Sequence, residues 1–119
     1  MKEESPIQKK SYAFSLSIVK LYQKLKSENE FVLAQQILKS GTSIGANVEE
    51  AVGAQCGKDF FMKMTIAYKE ARETNYWLRI LKDSNYIGLT ESSKLINDVH
   101  ELLKLLGTIQ KTVKQNRTS

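Results

Sequence analysis

The chain holds one cysteine, one proline and one histidine among 119 residues. The lone cysteine, Cys56, has no intrachain disulfide partner, which fits a reducing compartment. One proline and six glycines are too few for a turn-dense β fold or an unfolded chain. A single histidine cannot supply the Glu-x-x-His pairs with which helical bundles hold two iron ions. His100 also falls about 140° round its helix from the stripe through Leu95, on the solvated side. No arginine precedes it at the short spacing used by some all-helical ribonucleases. Cys56 stands in a glycine-flanked loop with no histidine nearby, so it reads as a small loop residue rather than a nucleophile. No Walker-type phosphate loop occurs. The expectation is a protein with no metal, no cofactor and no enzymatic activity.

Long apolar runs are also missing. None approaches the ~20 residues of a membrane span. Residues 1–14 contain neither an apolar core nor a small-residue cleavage site. A cytoplasmic protein without membrane contact is expected.

What remains is a chain that is 41% apolar, with 18 basic and 13 acidic residues and a net charge of +5. That length suits a single domain, 1–119, with one core. Large apolar residues recur at alternating spacings of four and three, the repeat of a helix with one buried stripe. Four such segments stand out, over 6–26, 31–52, 58–83 and 90–115. Ser5 and Pro6 can open the first, as cap and first helical residue. Phe14, Ile18, Leu21 and Leu25 form its stripe. In the second, Gly41 and Gly45 lie on the buried stripe, where they predict close approach by a neighbouring helix or a large aromatic group. The third has the longest repeat, Phe60, Met64, Ala67, Ala71, Thr74, Leu78 and Leu81, with Phe61, Tyr68, Arg72 and Arg79 on one flank. Thr90 can cap the fourth, whose stripe runs from Leu95 to Val113. Short polar connections then predict an all-α, antiparallel up-down-up-down four-helix bundle.

Several polar residues sit where such a bundle prefers aliphatic ones. Asn47, Glu50, Glu70 and Glu73 suggest a polar network or a subunit contact, because buried carboxylates need partners. The third helix is apolar round most of its circumference. Met62, Tyr76, Trp77 and Ile80 are accordingly expected at an oligomer interface. Lysines cluster on the first helix (Lys9, Lys10, Lys20, Lys24) and, with one arginine, on the last (Lys104, Lys111, Lys114, Arg117). Adjacent first and fourth helices would merge these into a basic outer surface suited to phosphate contacts.

The runs Ser43-Ile44-Gly45-Ala46-Asn47-Val48-Glu49-Glu50-Ala51, Asp59-Phe60, Ala67-Tyr68-Lys69-Glu70-Ala71-Arg72-Glu73-Thr74 and Tyr76-Trp77-Leu78 resemble the bacterial four-helix-bundle family encoded in 23S ribosomal RNA intervening sequences. The resemblance spans about Phe14 to Val113. It implies an up-and-down bundle and a homopentamer, and no established enzyme activity. A related branch, the accessory protein of diversity-generating retroelements, resembles a basic barrel that binds nucleic acid and a reverse transcriptase. The sequence reading is therefore a homo-oligomeric, pentameric bundle that binds structured RNA or a nucleoprotein. The alternative is a protein-interaction scaffold without a nucleic-acid role.

Overall fold

The computed structural model describes residues 3–118, with side chains as far as Asn116. Four helices follow one another: α1 Pro6–Ser27, α2 Phe31–Val52, α3 Gly57–Asp83 and α4 Leu89–Thr118. The first opens on a capping box. The Gln8 backbone N–H donates to Ser5 Oγ at 3.4 Å, and the Ser5 backbone N–H donates to Gln8 Oε1 at 2.9 Å. Asp59 places a carboxylate in the first turn of α3, where the helix dipole favours it. Thr90 does not cap α4. That helix begins at Leu89, and the Ser92 backbone N–H closes its first turn on the Gly88 carbonyl at 2.9 Å.

The turns after α1 and α3 repeat one design. Asn29 and Asn85 both stand at φ 64°, the left-handed region that asparagine tolerates better than most residues. At the first turn Glu30 N–H reaches the Leu25 carbonyl and Asn29 N–H the Lys26 carbonyl. At the second, Tyr86 N–H reaches Leu81 and Asn85 N–H reaches Lys82. This is the paired bonding of a Schellman ending, which satisfies carbonyls that the helix leaves open. Three to five residues join helices about 33 Å or longer, so successive helices that pack along their lengths run antiparallel.

The packing is cyclic. Helix α1 lies on α2, α2 on α3, α3 on α4, and α4 returns to α1, with no approach across either diagonal among the described residues. The α1–α4 seam is the sparsest. The rod measures 50 × 26 × 23 Å. Its core includes Ile18, Leu25, Ile37, Ile44, Met64, Leu78, Leu81, Leu102 and Leu106, all sealed from water.

Both glycines of the α2 stripe meet α1. A β-carbon on Gly45 would sit 3.3 Å from the Ser11 carbonyl oxygen, and one on Gly41 would sit 2.8 Å from two carbons of Ile18. The neighbour at Gly41 is a β-branched aliphatic side chain rather than an aromatic ring. Ser40 has the opposite problem, because its hydroxyl is buried and has no hydrogen-bond partner. Ser40→Ala removes that desolvated group and improves helix propensity. It is expected to stabilise the fold by about 1 kcal/mol, read as a higher urea midpoint at unchanged slope.

Candidate functional site

The polar residues on α2 and α3 share one seam but take separate partners. Asn47 Nδ2 donates to the Ser43 carbonyl of its own helix at 2.8 Å. Glu50 pairs with Lys63 across the seam at 3.1 Å. Trp77 Nε1 donates to Glu73 Oε2 at 3.0 Å, which leaves the indole face apolar and its polar edge satisfied. Glu70 is half-buried. Burial raises its carboxyl above the usual range, repulsion from Glu73 adds to this, and Lys39 partly opposes it. Four charged or amide side chains thus line the α2–α3 side without a single joined network.

Glu70 sets the sign of a pH effect. A carboxyl raised in the folded state binds its proton more tightly there than in the unfolded chain. Stability from this group is therefore present below the ordinary carboxylate range and falls as pH rises through the raised value. Glu70→Gln should raise stability at neutral pH and flatten that decline. Thermal melts from mildly acidic to neutral pH test it; a parallel decline in the variant would remove Glu70 as the cause.

The outward side of α3 carries Met62, Tyr76 and Ile80 on one face. Met62 and Tyr76 are about half exposed, and Trp77 and Ile80 are partly buried. Tyr76 stands edge-on to Trp77, with ring centroids 5.1 Å apart and planes at 73°. That contact holds both rings in place at the surface. Towards α4, Tyr76 borders a groove of about 340 Å³. Tyr68, Arg72, Asn75 and Arg79 line the rest, with Leu103 from α4 as its other wall. Asn75 Oδ1 is buried there without a hydrogen-bond partner. Among the described residues neither Arg72 nor Arg79 forms an ion pair. Sequence reasoning placed Tyr68, Arg72 and Arg79 on one flank but missed the groove. The available signal was the row Tyr68, Arg72, Tyr76, Arg79 at spacings of four, four and three.

The model of the family described as 23S rRNA-intervening sequence protein matches residues 3–108. The chain belongs to this family. A crystal structure of a protein of unknown function from the S23 ribosomal protein family of Bacteroides thetaiotaomicron VPI-5482 is 47% identical and superposes with a TM-score of 0.86, covering 88% of this chain and 98% of that one. No curated protein matches. In this intervening-sequence family member, the motif residues from Ser43 to Ala51 and from Ala67 to Leu78 fall on α2 and α3. They supply Asn47, Glu50, Glu70 and Glu73 and, of the groove, Tyr68, Arg72 and Tyr76, while Arg79 and Leu103 lie outside them.

The lysines of this family member are less uniform than their clustering suggested. Lys9, Lys20, Lys104 and Lys111 are exposed. Lys10 pairs with Glu101, and Lys24 with Glu91 at 3.2 Å, so both tie α1 to α4. Lys94 pairs with Asp98 at 3.1 Å beside them. Lys114 is exposed at the far end of α4, and the side chain of Arg117 lies outside the described residues. Clefts of about 260 and 270 Å³ run along this α1–α4 seam, but carboxylates alternate with lysines on their walls. The seam is a band of ion pairs rather than an unbroken basic surface. Such exposed pairs add little stability each.

Cys56 is exposed and precedes α3 without a side-chain capping bond, and His100 is exposed on α4. Among the described residues no three His, Cys, Asp or Glu side chains cluster as a metal site would require. Among them, too, no helix is long and apolar enough to cross a membrane.

Proposed function

We propose that the protein is a non-enzymatic homo-oligomer, a cytoplasmic pentamer, that binds nucleic acid in the form of structured RNA or a nucleoprotein. The outer face of α3 carries this reading. Met62 stands about half exposed there beside the partly buried Trp77 and Ile80, on a helix already packed against two others, while Tyr76 borders the α3–α4 groove and stays open. A second copy would remove that apolar surface from water at about 25 cal/mol per Å². A net charge of +5 then attracts polyanions to an assembly that repeats it around a ring.

Size exclusion with light scattering on untagged protein, with nucleic-acid absorbance followed in parallel, tests both halves. The expected result is a multimer with excess nucleic-acid absorbance that ribonuclease removes. A clean multimer that ignores RNA at low salt would leave the assembly and refute the binding. A protein-interaction scaffold is the second reading, favoured by one specific feature. Phe31, Val32 and Leu89 are 54%, 72% and 75% exposed at the same end of the bundle. Capture of a partner that survives nuclease and high salt would support it.

A further inference from the structure

We infer that the groove between α3 and α4 is the site that grips an unpaired stretch of RNA, with Arg72 and Arg79 on phosphates and a base against Tyr76. This rests on the nucleic-acid reading above and moves its centre from the lysines to the arginines.

The argument is one of chemistry and placement. The two arginines whose side chains are described both line this one groove. They are seven residues apart on α3, so their α-carbons lie about 10 Å apart along the axis. Tyr76 falls between them, half exposed and braced edge-on by Trp77. Planar guanidinium groups grip phosphate oxygens in pairs, which lysine cannot do. An accessible tyrosine ring between two such groups is the arrangement that stacks a base while its backbone is held. Asn75 adds a buried acceptor without a donor. Once the Asn75 side chain rotates towards the groove, a ribose 2′-hydroxyl or a base amino group supplies one, and the first of these distinguishes RNA from DNA. A duplex buries the faces of its bases, so the site fits a loop, bulge or end instead.

The rest of the surface competes poorly. The α1–α4 clefts carry carboxylates from Glu91, Asp98 and Glu101 beside their lysines, and these repel phosphate. The pocket between α1 and α2 is lined by Ser11, Tyr12, Ser15, Gly45, Ala46 and Glu49, with no cation.

The test uses the full-length chain and a short single-stranded RNA of mixed sequence carrying a terminal fluorescein, followed by anisotropy over a salt series. Arg72→Gln/Arg79→Gln should weaken binding at least about tenfold, and should lower the slope of log affinity against log salt by about 1.4. Tyr76→Ala should weaken it by roughly tenfold without changing that slope. Lys9→Gln/Lys20→Gln/Lys104→Gln/Lys111→Gln should change the slope but keep the Tyr76 effect. DNA of the same sequence should bind more weakly than RNA, and Asn75→Leu should erase that difference. Both arginines are exposed, and Arg72→Lys/Arg79→Lys provides a second variant that keeps charge and loses the paired grip.

Wild-type protein that binds no RNA would refute the nucleic-acid reading, and the site with it. Wild-type binding that is lost only with the lysines would refute the site alone. Light scattering on every variant supplies the remaining outcome. Arginine variants that change subunit number but bind RNA normally would overturn the proposal by making the groove a contact between copies.

Discussion

Gly41→Val should lower the stability of the fold by about 3 kcal/mol, the upper range for overpacking a close-packed core. The reason is local. Even a β-carbon at this position would lie 2.8 Å from both Cγ1 and Cγ2 of Ile18, whose side chain is completely buried. Those carbons are one bond from the Ile18 β-carbon and cannot swing away as the end of a lysine would. Helix propensity works the other way, since removing glycine from a helix interior gains up to about 1 kcal/mol. The clash is expected to win. Ile18→Ala alone opens a cavity at about 2–5 kcal/mol. In the double variant each change relieves the other, so the combined loss should fall short of the sum by about 1–3 kcal/mol. Urea unfolding of the four proteins measures this, and simple additivity would show that α1 and α2 shift apart instead.

That pair also marks how far a sequence can be read. Gly41 and Gly45 sit on the stripe of α2, so their role as a place of close approach was legible from spacing. What approaches was not, because it depends on how far α1 is rotated about its own axis. Ile18 and the Ser11 backbone became the neighbours, where a large ring was equally compatible with the pattern. The four helices themselves were legible because large residues at four-three spacing leave one buried face. The start of α1 was legible from Ser5 and Pro6. The identical left-handed endings at Asn29 and Asn85 were not, since asparagine in a polar break is common and its φ is fixed only by the bonds that follow.

The surface was read less well, for a related reason. A side chain's position on its own helix follows from about 100° per residue, but its partner belongs to another helix. Asn47 turns back to the Ser43 carbonyl, while Glu50 crosses to Lys63. The adjacency of α1 and α4 was expected, yet Glu91 and Glu101 rise between the lysines and pair with two of them. The arginine groove closes only when Leu103 of α4 is laid beside Arg72 and Tyr68. No single segment contains it.

Ile80→Asp is expected to reduce the protein from a multimer to its 13.5 kDa chain, the largest change in solution behaviour that one substitution should cause. Ile80 shares the outward face of α3 with Met62 and Tyr76 and lies outside the sealed core, so the folded monomer can keep a carboxylate there in water. An interface cannot. Burying an unpaired charge between copies costs several kcal/mol, and Glu73 on the same helix adds repulsion rather than a partner. Trp77 cannot relieve it, because its one donor is already held by Glu73. Val32→Asp is the matched control: Val32 is 72% exposed at the end of the bundle and is not on α3. Light scattering should give a multimer for the wild type and for Val32→Asp, and a monomer with unchanged helical circular dichroism for Ile80→Asp. If Val32→Asp dissociates the protein and Ile80→Asp does not, the apolar end formed by Phe31, Val32 and Leu89 joins the copies. The face of α3 would then be open to other partners. A wild type that is itself monomeric would remove self-association altogether and leave that face as the strongest place to look for a different protein.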